Sequence, residues 1–419
     1  MFFGFGFATL AGFLACVGDA PDTGGGTSGD GSSGGDDTAT TDGDGSTSSD
    51  GSTTGDSGCN PGLTPCGTMC IDVQASDENN CGGCGHTCQG DGCTGGKCNP
   101  VDLNTSLTSP TTVATTDNTD QVAIIMAPKV YRIPKVGGVA TAMWTGSTVI
   151  AVNNTSMTMT SDIGNKEVFA AMVALSATPS TAEYTELEIG TTPPAEPVYY
   201  DVRSGVTLGA NLAGDDQAIG GDVAMQAASI IEGCPLGHCT PVGPEYQTSG
   251  SFSAVAVQHG APGSVLWTDS TANIQSCLRG SDDAGTCTPT ALLAAAPADA
   301  TPTKYLVVTS TKVFWVVSGS THFRVLSCPF PGPCSSAKVL VDNEQSLDGF
   351  AADDNGIYWS NKDTGKVREC RDTVNGCGSS SDDLLTGLSS PAWLTMDSKF
   401  VFVVQAPSSG SGTLTRVAR

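Results

Sequence analysis

The chain repeats one pattern, which reads SVLWTDSTANIQSC at 264–277, KVFWVVSGSTHFRVLSC at 312–328 and GIYWSNKDTGKVREC at 356–370. A weaker copy, DVAMQAASIIEGC, lies at 222–234, and FVFVV at 400–404 continues the series. The spacings between Met225, Trp267, Trp315 and Trp359 are 42, 48 and 44 residues. This spacing indicates one structural unit that is copied several times.

Short runs of Val, Ile, Tyr, Phe and Trp, broken by Gly, Ser, Asp and Asn, extend from about residue 101 onward. This composition is typical of strands and turns, and no helical period interrupts it. A unit of about 40 to 50 residues with an aromatic side chain in a central strand is typical of a β-propeller blade. The sequence therefore predicts an all-β fold, with a β-propeller of about seven blades over 101–419; six or eight blades are also possible.

Two further segments fit this ring. VYRIPKVGGVAT at 130–141 is predicted to form the third strand and turn of another blade. The final residues, GTLTRVAR, also read as a third strand, so the segment near 105–116 is expected to supply the last strand and close the ring. Closure would hide the sheet edges, which otherwise template aggregation.

The best-defined copy carries a family resemblance. Ile357-Tyr358-Trp359-Ser360, followed by Gly365-Lys366-Val367, resembles the repeats of YWTD and NHL-type propellers. The resemblance implies the same ring of four-stranded blades.

The 17 cysteines divide into one, eight and eight. Cys16 follows an apolar N-terminus. Eight lie in a cysteine module at 59–100: Cys59, Cys66, Cys70, Cys81, Cys84, Cys88, Cys93 and Cys98. The rest form four close pairs in the repeats: Cys234 with Cys239, Cys277 with Cys287, Cys328 with Cys334, and Cys370 with Cys377. Even numbers indicate disulfides and an exported protein.

The cysteine module has few apolar side chains, so cross-links must hold it together. Zinc is the alternative, based on Cys81 and Cys84, but no second C-x-x-C completes a four-ligand site. Eight cysteines allow about 105 disulfide connectivities, and the spacing does not choose among them.

The cysteine module also has a recognisable pattern. The matching residues are Cys66-Gly67-Thr68-Met69-Cys70-Ile71-Asp72, Asn80-Cys81-Gly82-Gly83-Cys84-Gly85-His86-Thr87-Cys88 and Cys93-Thr94-Gly95-Gly96-Lys97-Cys98. They resemble a module of cysteine-rich surface proteins of myxobacteria. The resemblance implies a compact, stapled spacer or interaction module and brings no catalytic residue with it.

Residues 1–16, MFFGFGFATLAGFLAC, resemble a signal peptide with a lipobox-like end. Ala15 before Cys16 predicts lipid attachment at Cys16, although Phe13 stands where Leu is usual. Simple secretion is the alternative, and a start upstream of Met1 remains open.

Residues 17–58 contain nine Asp and no Lys or Arg among Gly, Ser and Thr. Such a segment cannot offset its ordering entropy and is predicted to be a disordered linker.

The formal net charge of −25 excludes a typical nucleic-acid surface, which needs clustered Lys and Arg. Membrane contact is therefore expected through the lipid anchor only.

The four histidines, at 86, 238, 259 and 322, form no hydrolase or zinc-protease motif, and no P-loop or dinucleotide fingerprint occurs. No catalytic residue, metal or cofactor is predicted. Trp267, Trp315 and Trp359 are expected to pack in the core, and Asp353-Asp354 to form a turn instead of a calcium site.

These features predict a monomeric envelope lipoprotein, in the outer membrane or extracellular, that acts as a non-enzymatic binding scaffold through its propeller. The partner would be a protein or a glycan. The alternatives are a secreted propeller enzyme, of metal-dependent lactonase or lyase type, and a passive structural coat protein.

Mass spectrometry of the protein from native membranes, without reduction and after alkylation of free thiols, tests the exported state. We expect an acylated N-terminus at Cys16 and the other sixteen cysteines blocked in disulfides. Several alkylated cysteines, or an unlipidated chain that retains Met1, would contradict both the anchor and the oxidising compartment.

Overall fold

The computed structural model describes residues 59–115, 117, 120–126, 129–142, 252–258, 264–278, 289–293 and 297–419, apart from 298, 372 and 378–380. Between 157 and 249 it describes the strands alone. Cys16 and the predicted linker lie outside these residues. Asp56–Arg419 forms one compact unit. The ordered elements of the described residues are strands, and none of these residues belongs to a helix that could cross a bilayer.

The cysteine module contains four short strands: β1 (Thr64–Cys66), β2 (Met69–Ile71), β3 (Cys93–Thr94) and β4 (Lys97–Cys98). The next strands along the chain are β5 (Val101–Leu107), β6 (Pro110–Ala114), β7 (Gln121–Met126), β8 (Lys129–Pro134), β9 (Thr141–Ala142), β10 (Met157–Thr160), β11 (Lys166–Ala174), β12 (Thr181–Gly190), β13 (Val198–Thr207), β14 (Leu212–Gly214), β15 (Asp222–Ala227), β16 (Ile230–Pro235), β17 (Tyr246–Ser249) and β18 (Phe252–Val257). The last group is β19 (Ser264–Asp269), β20 (Ile274–Leu278), β21 (Thr290–Leu293), β22 (Thr301–Val308), β23 (Lys312–Ser318), β24 (Phe323–Pro329), β25 (Lys338–Glu344), β26 (Gly349–Ala352), β27 (Ile357–Asn361), β28 (Lys366–Cys370), β29 (Asp382–Leu385), β30 (Pro391–Met396), β31 (Phe400–Gln405) and β32 (Gly412–Ala418).

Among the described residues these strands form two hairpins, β1–β2 and β3–β4, and seven four-stranded antiparallel sheets. Six of the sheets take four consecutive strands each, from β6–β9 to β26–β29. The seventh, the closing sheet, has the order β30-β31-β32-β5. The first strand of each sheet contacts the first strand of the next, and β30 contacts β6. The all-β prediction is confirmed, and the arrangement is propeller-like.

The repeated aromatic residues lie in the second strands of their sheets. Trp267 in β19 is 3% exposed, and Trp315 in β23 and Trp359 in β27 are fully buried. All five residues of β27 are buried, because neighbouring sheets cover both faces of the strand. The prediction that these tryptophans pack in the core is confirmed.

The cysteine pairs of the repeats lie between the third and fourth strands. Cys328 at the end of β24 is bonded to Cys334, and Cys370 at the end of β28 is bonded to Cys377. Cys277 in β20 is also disulfide-bonded. Its expected partner Cys287 and the pair of Cys234 with Cys239 lie outside the residues whose side chains are described. The disulfides indicate an oxidising compartment.

The ring closes by antiparallel pairing of β5 with β32, in which Val101 lies opposite Arg416 and Leu107 opposite Gly412. The prediction of a closing strand near 105–116 was wrong in its bounds. Ser109 adopts a left-handed φ of 46° before Pro110, so the strand ends at Leu107 and Pro110 begins β6. The predicted third strand near residue 130 is confirmed as β8.

The cysteine module is cross-linked by Cys59–Cys70, Cys66–Cys84, Cys81–Cys93 and Cys88–Cys98. Cys81 and Cys84, on which the zinc alternative depended, are thus bonded to two different partners and offer no thiolate. Cys81, Cys88, Cys93 and Cys98 are buried in the same hydrophobic cluster as Leu103 and Ala418 of the closing sheet. The core of the cysteine module is therefore continuous with that of the closing sheet.

Arg416 of β32 anchors the cysteine module. Its Nε donates to Asp91 over 3.1 Å, a second nitrogen binds the same carboxylate, and Nη1 donates to the carbonyl of Lys135. The guanidinium also lies 4.6 Å from the centre of the Phe400 ring. The Arg416 and Asp91 side chains are 12% and 6% exposed. A charge buried to this degree is stable only while its partners stay in place.

The cysteine module and the closing sheet are also tied to the sheets on either side of the closing sheet. Lys97 Nζ donates to the Asp383 carbonyl of β29 over 2.6 Å. Lys135 follows β8, and its backbone carbonyl accepts from Arg416. Its Nζ pairs with Asp397 over 2.6 Å. Asp397 lies in the turn between β30 and β31. These contacts tie the point of ring closure to both neighbours.

We predict that Asp91→Ala destabilises the whole ring by about 3 kcal/mol, because it leaves the Arg416 guanidinium buried without its carboxylate. Chemical denaturation measures this change. The matched control is Asp342→Ala, which removes a 48% exposed carboxylate from Arg324 while Asp299 remains bound. The control should cost less than about 1 kcal/mol. Equal effects of the two substitutions would contradict the anchoring role of Arg416.

Candidate functional site

The direction of the strands gives the ring two ends. At the upper end the first strand of each sheet begins and the second strand turns into the third. At the lower end the first strand turns into the second and the third into the fourth. Because β5 starts at the lower end directly after Cys98, the cysteine module lies there. Its contacts with Arg416, late in β32, and Asp383, early in β29, agree with this position.

A cleft of about 560 Å³ opens at the upper end, where the sheets that begin with β22, β26 and β30 meet. We call it the Trp393 cleft. Its lining combines two aromatic side chains, three hydroxyls, one ion pair and three aliphatic residues: Trp393, Tyr305, Thr303, Ser390, Ser408, Asp348, Lys362, Leu347, Ala392 and Ala406.

Trp393 lies in the cleft because β30 contains a bulge. Pro391 pairs with Gln405 and Leu394 with Val403, so β30 carries one more residue than β31 between these points. The extra residue breaks the alternation of the strand, and Pro391 and Leu394 are buried whereas Ala392 and Trp393 are half-buried. A bulge commonly redirects a side chain in this way. The indole is thus held between the core and solvent.

Asp348 and Lys362 are the charged side chains of the described lining. Asp348 Oδ1 lies 2.9 Å from Lys362 Nζ, and its Oδ2 accepts from the Lys362 backbone N–H over 3.1 Å and from Ser346 Oγ over 2.6 Å. The hydrogen bond to Asp348 raises the pKa of Lys362, so the ammonium group stays charged. Both carboxylate oxygens are engaged, which favours a fixed dipole over proton transfer.

Tyr305 ties Asp348 to the preceding sheet. Its hydroxyl donates to the backbone carbonyl of Asp348, and its ring lies 6.3 Å from that of Phe350. Burial, with the Asp348 charge as a second cause, raises the pKa of the Tyr305 phenol. The phenol therefore remains a hydrogen-bond donor throughout the neutral range.

Close contacts between β30 and the sheet that begins with β26 hold the bulge in position. Ser360 Oγ donates to the Ala392 carbonyl over 2.6 Å, and Leu388 N–H donates to Gly365 O over 2.9 Å. A Cβ on Gly349 would lie 2.4 Å from the Ala392 carbonyl oxygen. Only glycine permits so close an approach.

A second cleft, of about 250 Å³, separates the cysteine module from β28 and β29 at the lower end. Several of its charged lining residues are in ion pairs: Glu369 binds Arg371 over 3.0 Å, and Asp383 binds Lys366, which lies outside the lining, over 2.6 Å. His86 donates from Nδ1 to the Cys81 carbonyl, while its buried Nε2 has no partner among the described residues. Since solvent does not reach that Nε2, the cleft is best described as an imperfectly filled interface.

The other candidate sites from the sequence are structural. Asp353 caps a turn, accepting from the backbone N–H groups of Asn355 and Gly356. Asp354 is partly buried, but hydroxyls of Ser310, Thr309 and Thr311 hydrogen-bond to it and lower its pKa. Within the described part of the chain, Cys81, Cys88 and Cys98 are the one group of three potential metal ligands, and all three are in disulfides.

Trp393 was not singled out from the sequence. The repeated tryptophans lie in second strands, whereas Trp393 lies in a first strand, 34 residues after Trp359, where the preceding interval is 44. This shorter interval was the one signal in the sequence that Trp393 has a different position from the repeated tryptophans. The bulge that exposes the indole is a property of strand register and has no mark of its own in the sequence.

We predict that Gly349→Ala pushes β30 away from β26 and destabilises the protein by about 2 kcal/mol, because the added Cβ overlaps the backbone of Ala392 and Leu394. Denaturant unfolding measures the loss. Gly83→Ala is the matched control, since its Cβ would meet nothing within 4 Å. Wild-type stability of Gly349→Ala would show that the contact between the two sheets is loose.

No known family profile matches the sequence, and no curated protein resembles it in sequence. Among solved structures, a crystal structure of glucose dehydrogenase matches with a TM-score of 0.42 and 10% identity, covering 77% of this chain and 99% of that chain. A glucose dehydrogenase-type oxidoreductase from Thermus thermophilus matches with a TM-score of 0.40 and 11% identity, covering 76% of this chain and 99% of its own. No statement about the activity of this chain follows from either match.

Proposed function

We propose that this protein is an exported, monomeric envelope lipoprotein of the cysteine-rich myxobacterial type, anchored through Cys16, whose seven sheets are the blades of one propeller. Its function is to bind a partner at the upper end of the ring without chemical turnover. The Trp393 cleft carries this proposal, because it is an open, mixed aromatic and polar cleft at the end opposite the cysteine module. The disulfides support an extracellular or envelope location.

The two ends of the ring differ in a way that fits binding. At the lower end the cysteine module covers the edge of the closing sheet with buried disulfides and the Asp91–Arg416 pair. At the upper end Trp393, Lys362 and Ser408 retain solvent exposure. A rigid ring that presents loops at one end is the arrangement on which binding sites are commonly built.

Site-specific photocrosslinking in the native host tests this proposal. We expect Ser408→p-benzoylphenylalanine, at the exposed rim of the Trp393 cleft, to give a saturable adduct with an envelope component. Val374→p-benzoylphenylalanine is the control, because Val374 is 68% exposed at the lower end. Excess wild-type protein should compete with the adduct, whereas Ala406→Arg, whose long side chain fills the cleft, should not.

Other results distinguish the alternatives. Release of a chemically altered ligand, or turnover in a screen of lactones and polysaccharides with calcium or zinc, would favour the secreted enzyme. Equal labelling at Ser408 and Val374, or no adduct at either, would favour the passive coat protein. Either result would overturn the proposed function.

A further inference from the structure

The Trp393 cleft constrains the class of its ligand, an inference that rests on the proposed function. The half-buried Trp393 indole exposes apolar ring surface beside the Ser390 and Ser408 hydroxyls. A ligand that matches this lining needs an apolar face of ring size and hydrogen-bonding groups around its edge.

The charges of the lining favour a neutral ligand. Asp348 and Lys362 neutralise each other at 2.9 Å, and the carboxylate is further held by Ser346. Because the two charges lie side by side and cancel, neither an anion nor a cation gains a net Coulombic attraction from the pair. A neutral ligand leaves the pair intact. The net charge of −25 on the protein neither attracts nor repels such a ligand.

The hydrogen-bonding groups of the lining both donate and accept. The Thr303 hydroxyl donates to the Val316 carbonyl over 2.8 Å and accepts from the Tyr305 backbone N–H over 3.3 Å, which leaves one lone pair to accept from a ligand. The hydroxyls of Ser390 and Ser408 can take either role. A polyhydroxylated ligand suits such a mixture, because each of its hydroxyls can also donate or accept.

The cleft has the size of a small-ligand site. Its volume of about 560 Å³ falls in the range of roughly 300 to 1,000 Å³ that is typical of such sites. This is more than one pyranose ring needs, and the open rim at Ser408 allows a chain of sugars to continue outward.

From these observations we infer that the Trp393 cleft binds a neutral oligosaccharide, with the apolar face of one pyranose ring stacked on the Trp393 indole. The fixed Asp348–Lys362 pair and the hydroxyls of Thr303 and Ser390 bind the ring edge. A peptide that places an aliphatic side chain on the indole is a competing ligand, which the experiment below distinguishes.

The experiment uses the full chain on an array of neutral and anionic glycans, followed by calorimetric titration with the neutral oligosaccharide that binds best. We expect binding to neutral glycans only. Trp393→Ala should weaken binding about tenfold, because it removes the stacking surface. Ala406→Arg, which fills the cleft without deleting the indole, should abolish binding, and Val374→Ala should not change it.

Trp393→Phe separates stacking from folding. The phenyl ring keeps an apolar face, so the affinity should stay within a few-fold of wild type. The tryptophan fluorescence change on binding should largely disappear, since Trp267, Trp315 and Trp359, the other tryptophans of the described residues, are buried. Thermal unfolding of each variant must match wild type before the affinities are compared.

Three results would overturn the inference: no neutral glycan binds the wild-type chain, anionic glycans bind better, or Trp393→Ala and Ala406→Arg leave the affinity unchanged. If no glycan on the array binds while Ser408→p-benzoylphenylalanine still gives a saturable peptide adduct, the proposed binding function stands and only the ligand class is wrong.

Discussion

The pairing of β5 with β32 is the contact on which the ring depends. It joins segments more than three hundred residues apart, as the hydrogen bond between Asp102 and Thr415 shows with a separation of 313 residues. Closing so long a loop costs conformational entropy that a few strand hydrogen bonds offset poorly. The cysteine module adds buried apolar contact and the Arg416–Asp91 pair at this point. We therefore regard it as part of the closure, in addition to the spacer role that the sequence suggested.

The sequence was most informative where residue type and spacing coincide. Trp267, Trp315 and Trp359 recur at nearly constant intervals, and a side chain of that size in a strand covered on both faces has no other place than the core. The third strand near 130 was predicted because VYRIPKVGGVAT looks like the third strand and turn of a blade. The period thus specified the strand order within a sheet and the class of fold.

Features that depend on backbone register could not be predicted in this way. The closing strand ends at Leu107 because Ser109 turns with positive φ before Pro110, whereas its apolar pattern continues into β6. The disulfide pairing of the cysteine module depends on which chain segments meet in space. Trp393 reaches the cleft through a bulge in β30. The candidate site was therefore largely hidden in the sequence, although the tryptophan itself was visible as one that departs from the period.

The positions of the cleft and the cysteine module have a mechanical consequence. A ligand held at the upper end and an attachment acting through the cysteine module at the lower end would pull along the strands. In the closing sheet this load would act on β5 parallel to its length, so that its hydrogen bonds with β32 resist together and do not open one after another. The buried Asp91–Arg416 pair lies at the loaded end of that strand pair. If the protein is anchored and binds as proposed, the closing strand pair would be loaded in the direction in which its hydrogen bonds act together.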